Sequence, residues 1–117
     1  MAETMRLFSY GTLQECGVQL REFGRVLVMH PDVLTGFRRG QARIEDPERV
    51  KALGRETFDN LIPTGDAADR IEGSVLEVTP EELAAADAYE ALDRYTRIQV
   101  RLESGTQAWV FRRDERT

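Results

Sequence analysis

Apolar positions along this chain change their spacing several times, and each change predicts an element. Residues 5–10 read as a strand in which Leu7 and Phe8 are apolar and Tyr10 stands last. Gly11 then predicts a turn through positive φ, which glycine enters without penalty. Residues 14–23 are ambiguous: Val18, Leu20 and Phe23 could line a short helix, with Gly24 as its stop. Residues 26–44 are strand-like, with Val26, Leu27, Val28 and Met29 leading to a turn at His30-Pro31-Asp32. Val33 and Leu34 then run on to Gly36 and Phe37. Residues 45–56 are charged and carry Pro47, as a surface loop or a short helix would. Residues 58–63 form a short extended segment before the turn-like Thr64-Gly65-Asp66.

The later third is sharper. Residues 70–78 carry Ile71, Gly73, Val75, Leu76 and Val78, a strand with a glycine where something must approach closely. Thr79-Pro80-Glu81-Glu82 opens a helix: Thr79 caps it, Pro80 suits the first position, and Glu82 completes a capping box. Residues 97–102 and 107–111 form two strands joined by Glu103-Ser104-Gly105-Thr106, a hairpin. Strands outnumber helices, so the expected class is α+β with a mostly curved or closed sheet. No repeat or linker divides the chain, and one domain over 1–117 is expected.

Composition narrows the function classes. Hydrophobic residues are 41% and charged residues 32% of the chain, which suits a globular protein rather than a disordered one. A net charge of −5 argues against nucleic acid as a partner, and Arg38-Arg39 and Arg112-Arg113 read as solvated faces. The sequence has no apolar run of membrane-spanning length and no basic-then-apolar leader, so a cytoplasmic protein without a membrane partner is expected. Cys16 is the sole cysteine and His30 the sole histidine. That excludes an internal disulfide and argues against a metal site. Cys16 reads as a small, partly buried thiol and His30 as a turn residue before Pro31.

Two places carry candidate chemistry. On a helix turning about 100° per residue, Glu90 returns to within about 20° of Leu83, with Ala86 and Asp87 on the same stripe. A helix docked through Leu83 therefore turns Glu90 inward, where lost hydration raises a carboxyl pKa and suits it to proton transfer. The alternative is a Glu90 ion-paired with Arg94 or Arg97; spacing does not separate the two. Asp87 reads as structural. Leu92 falls on the opposite side, so the helix should end before it. The second place is Tyr10-Gly11-Thr12-Leu13, either an ordinary glycine turn or a concave array of backbone N–H groups that holds an anion. It lacks the repeated glycines and lysine of a phosphate loop, which favours a carboxylate.

Phe8-Ser9-Tyr10-Gly11-Thr12-Leu13 resembles the hallmark loop of the γ-glutamylcyclotransferase-like superfamily, in its AIG2-like branch. The likeness continues in order through Phe23-Gly24-Arg25, Leu34-Thr35-Gly36-Phe37 and Ile71-Glu72-Gly73-Ser74-Val75-Leu76-Glu77-Val78. It then runs through Glu82-Leu83, Asp87-Ala88-Tyr89-Glu90, Tyr95-Thr96-Arg97, Ser104-Gly105 and Ala108-Trp109-Val110. The resemblance implies an α+β fold, a small mixed β-barrel with flanking helices and a cavity at its mouth. It also implies a cofactor-independent enzyme, without metal, that converts a small γ-glutamyl substrate to 5-oxoproline and a free amine or amino acid. Tyr10, Gly11, Thr12 and Leu13 would hold the substrate's α-carboxylate, Glu90 would be the acid/base, and Tyr95 would line the site. One position departs: many relatives have glycine after the glutamate, whereas this chain has Ala91.

A second function class uses the same cavity: a non-catalytic module that binds a carboxylate-bearing small molecule or acts in interactions. Exposure of Trp109 or Phe111 on the last strand would favour an assembly surface, although alternation places at least one in the core. The sequence leaves the released amine and the oligomeric state open.

Overall fold

The computed structural model describes residues 3–114, so the first two and last three positions of the expected 1–117 domain lie outside the described residues. Seven strands and three helices follow in the order β1 (Met5–Ser9), α1 (Cys16–Phe23), β2 (Met29–Thr35), β3 (Phe37–Arg43), α2 (Pro47–Leu53), β4 (Thr57–Pro63), β5 (Arg70–Val78), α3 (Pro80–Ala91), β6 (Thr96–Arg101) and β7 (Gln107–Arg112). The expected α+β class is what forms.

Five strands pair in the order β2-β5-β1-β7-β6, with β1 and β7 parallel and the other pairs antiparallel. The central strand, β1, is buried on both faces. Leu7 points into a cluster with Val18, Leu83 and Ala86 beneath α1 and α3, while Phe8 joins Leu34, Leu61, Val75 and Val110 on the other side. Both side chains are essentially inaccessible, and burying such a residue contributes about 1.5–3 kcal/mol.

The other two strands, β3 and β4, form a separate antiparallel ladder. The chain passes into it at Gly36, whose φ of 82° lets β2 leave its sheet in a single residue. The Gly36 N–H donates to the Asp69 carbonyl, and its carbonyl accepts from Thr64 and Gly65, so the corner is fully bonded. On the far side a side chain does the joining: the buried Asn60 amide donates to the Arg113 carbonyl at 2.8 Å and accepts the Arg113 N–H at 2.9 Å. Asn60 thus stands in for a strand neighbour at the end of β7 and ties the two ladders together.

The capping box of α3 forms as expected, with Thr79 and Glu82 exchanging both hydrogen bonds. Residues 45–56 resolve into a helix: Asp46 caps α2 and Pro47 takes its first position. The hairpin of β6 and β7 and the glycine stop of α1 also form. A Cβ on Gly73 would lie 2.4 Å from the Ser9 carbonyl oxygen and 2.7 Å from the Phe8 ring, so the close approach expected there is real.

Several expectations need correction. No turn occurs at His30-Pro31-Asp32; those residues lie inside β2, and Val26 and Val28 are exposed outside any strand. β2 is an edge strand, where a proline N–H is not needed by a neighbour. On α1, Leu20 is 54% exposed and Gln19 is fully buried, the reverse of the hydropathy pattern. Cys16 is exposed rather than partly buried, and His30 bonds Glu77 at 2.7 Å from within a strand. Arg113 is buried rather than solvated, with its guanidinium on the Arg43 and Asp93 carbonyls. Phe111 is core and Trp109 is half-buried beneath the Arg97 guanidinium. Among the described residues no helix is long and apolar enough to cross a membrane.

Candidate functional site

A pocket of about 670 Å³, mouth included, opens where the end of β1, the last turn of α3 and the start of β4 converge. Tyr10, Gly11, Thr12, Leu13, Glu90 and Tyr95 all line it, so one cavity gathers the six residues singled out in the sequence. Arg55, Phe58, Asp59, Tyr89 and Asp93 line it as well.

The loop after β1 tightens into a single 3-10 turn over Thr12–Gln14. The Gln14 N–H bonds the Gly11 carbonyl and the Glu15 N–H bonds the Thr12 carbonyl. Among the described residues the Thr12 and Leu13 N–H groups have no acceptor, as befits the first donors of a helical turn. The expected positive φ at Gly11 does not occur: its φ is −137°, and a Cβ there would meet nothing within 4 Å. Neither backbone conformation nor protein packing asks for glycine at this position.

Buried Gln19, which hydropathy could not reveal, holds the loop from behind. Its amide donates to the Leu13 carbonyl at 2.8 Å and accepts the Leu27 N–H at 2.9 Å. In front, the Thr12 hydroxyl lies 3.2 Å from the Tyr89 hydroxyl, which ties the loop to α3.

Glu90 reaches the pocket from the last turn of α3, as the spacing from Leu83 requires. Both alternative partners are engaged elsewhere: Arg94 pairs with Glu45 and Arg97 with Asp87. Among the described residues nothing hydrogen-bonds or ion-pairs the Glu90 carboxyl group. Burial, and secondarily the nearby Asp93 carboxylate, push its pKa up to about 7. Asp93 is itself clamped by Arg49 in a two-pronged contact at 2.6 and 3.2 Å.

Ala91 is helical and exposed, so the departure from glycine there imposes no left-handed strain. The left-handed residue is Arg94, at φ 67°. It lets the chain fold back so that the Asp93 and Tyr95 N–H groups both bond the Glu90 carbonyl, each at 3.1 Å.

The two site tyrosines are not proton donors in waiting. Tyr10 donates its phenol to the Phe111 carbonyl and Tyr95 donates to the Asp59 carbonyl, both at 2.8 Å. Burial, then the neighbouring Tyr95 and Glu90, drives the Tyr10 pKa far up, so Tyr10 stays neutral.

Residues 7–117 match the family described as "Gamma-glutamyl cyclotransferase, AIG2-like", and the chain belongs to that family. No curated protein matches it. Among solved structures it is similar to one titled "Gamma-glutamyl cyclotransferase", at 12% identity and a TM-score of 0.73, covering 96% of this chain and 68% of that one. It is also similar to two Arabidopsis thaliana proteins known as solution structures, both at 21% identity, with TM-scores of 0.68 and 0.71. Those alignments cover 95% and 97% of this chain but 61% and 71% of theirs. At such identities the likeness establishes the fold.

Proposed function

We propose that this protein is a cofactor-independent γ-glutamyl cyclotransferase that releases an amine or amino acid and closes the glutamyl part to 5-oxoproline. The observation that carries the reading is Glu90: a carboxyl group without an ion partner among the described residues, with a pKa near 7, lining the same pocket as two backbone donors that have no acceptor among them. A free α-carboxylate suits the Thr12 and Leu13 N–H groups, because backbone donors at a helical turn carry partial positive charge and need no basic side chain. Gly11 leaves open space beside them, which lets an anion approach the backbone.

With the carboxylate held there, the adjacent α-ammonium lies toward Glu90. The ionised Glu90 takes a proton from it, and the freed nitrogen lone pair attacks the γ-carbonyl carbon. A carbon–nitrogen bond forms to close the ring, and the bond to the departing nitrogen breaks. Glu90 returns its proton to that nitrogen as the bond breaks, then takes the second proton from the ring nitrogen and passes it to the released amine. The lactam nitrogen thus keeps one hydrogen, the amine leaves as its ammonium and the carboxylate is regenerated. A pKa near the working pH serves both directions of transfer. Ring closure is intramolecular, so fixing both ends of the substrate supplies much of the rate. Tyr10 and Tyr95 act as walls, since their hydroxyl groups are already donated to backbone carbonyls.

The test is mass spectrometry for 5-oxoproline after incubating the protein with γ-glutamyl amino acids, γ-glutamyl amines and glutathione, with Glu90→Gln alongside. Product from the wild type alone supports the reading. Product from both proteins removes Glu90 from the mechanism. A folded wild type that yields none from any compound turns the assignment to a non-catalytic binding module.

A further inference from the structure

The pocket carries one cation that the proposed chemistry does not use. Among the described residues three acidic side chains line it, Asp59, Glu90 and Asp93, against the single cation Arg55. Asp59 is paired with Arg39 and Asp93 with Arg49. Arg55 is exposed where it lines the pocket, and among the described residues no acid pairs with it, so its charge is open to a ligand.

The Arg55 side chain is also held in place. Its Nε–H donates to the Thr57 carbonyl at 2.7 Å, which curls the side chain back over the start of β4. The guanidinium carbon lies 5.2 Å from the Phe58 ring centroid, a cation–π contact with another residue of the pocket wall. With Nε engaged, the two terminal nitrogens remain as a planar fork that suits a carboxylate. An arginine fixed this way loses less side-chain freedom on binding than a mobile one.

Resting on the cyclotransferase reading, we propose that Arg55 is a specificity-determining residue that selects substrates whose departing amine carries a carboxylate. The loop after β1 and Glu90 take the two ionic groups of the glutamyl end. The wall left for the leaving group is the one built by Arg55, just before β4, and Phe58, within it, a part of the chain that contributes neither the loop nor Glu90. A carboxylate there meets the fork, whereas an alkyl group of equal size does not.

The test compares γ-glutamylalanine with γ-glutamylisopropylamide, in which a methyl group replaces the leaving-group carboxylate, on wild type, Arg55→Ala and Arg55→Lys. Wild type should favour γ-glutamylalanine in kcat/KM by about tenfold or more, the scale of one charge-assisted contact. Arg55→Ala should erase that ratio and Arg55→Lys should restore part of it. Equal slowing of both compounds by Arg55→Ala would place Arg55 on the glutamyl end and overturn the assignment, as would an unaltered ratio. Calorimetric titration of both compounds into Glu90→Gln, with and without Arg55→Ala, separates the two ideas. If no compound is turned over but γ-glutamylalanine binds and Arg55→Ala weakens it, the enzyme reading fails and the Arg55 assignment stands. Binding indifferent to Arg55, or no binding at all, overturns the assignment.

Discussion

The hydroxyl groups of Thr12 and Tyr89 lie 3.2 Å apart, 77 residues from one another in sequence, and join the loop after β1 to the helical turn that carries Glu90. The two halves of the proposed site are therefore held at a fixed separation by a contact that touches neither reacting group. Tyr89→Phe and Thr12→Ala should each lower kcat/KM by about three- to tenfold, the range of one hydrogen bond. The double variant should be no worse than the poorer single one, because both remove the same contact. Additive losses in steady-state kinetics would mean that the two side chains act separately.

Glu90 links catalysis to stability in a way that has a definite sign. Its pKa is about 7 in the folded protein against an ordinary 4.5, so between those values the native state keeps a proton that the unfolded chain gives up. The corresponding stability is full below the lower value and is lost as pH rises through the higher one. Glu90→Gln, which cannot ionise, should unfold like the wild type at pH 4 and be more stable at pH 8 by about 1–3 kcal/mol. Denaturant melts at the two pH values check this. Wild-type kcat/KM should rise through about pH 7 as the base ionises.

Gln19 makes a prediction about the loop. Gln19→Leu keeps most of the volume but strands the Leu13 carbonyl and the Leu27 N–H in a buried place. A loss of about 1–3 kcal/mol in unfolding free energy is expected. Faster amide hydrogen exchange around residues 12–14 should accompany it. A variant as stable as the wild type would show that the network contributes nothing net.

Two glycines near the pocket should behave in opposite ways. Gly73→Ala forces a Cβ against the Ser9 carbonyl and the Phe8 ring, and overpacking of this kind costs about 1–3 kcal/mol. Gly11→Ala meets no protein atom and should melt near the wild-type temperature while weakening substrate binding, because the added methyl group enters the space left for the anion. Thermal unfolding beside substrate titration separates the two, and a Gly11→Ala protein that binds normally would remove the loop from substrate recognition.

Much of this architecture is legible in the chain because its signals are local. Thr79, Pro80 and Glu82 specify the start of α3 through hydrogen bonds spanning three residues, and the count from Leu83 to Glu90 then aims a carboxylate inward. The hairpin of β6 and β7 and the close approach at Gly73 follow from comparably short-range rules. The segment around Pro31 misleads for the same reason: local preference reads it as a turn, while its place at a sheet edge makes a strand tolerable.

What the sequence by itself determined is the family, the α+β class and the six residues that share the pocket, since motif order and helical phase are properties of the chain alone. Only the tertiary structure decided the state of those residues. The ionic partners of Arg94 and Arg97 leave Glu90 unpaired among the described residues, and buried Gln19 steadies the loop. Asn60 joins the two ladders, and Arg55 lines the same pocket as Glu90 and the loop after β1, which are distant from it along the chain. Each depends on which side chains desolvate together, and desolvation is set by packing between segments that no local pattern relates.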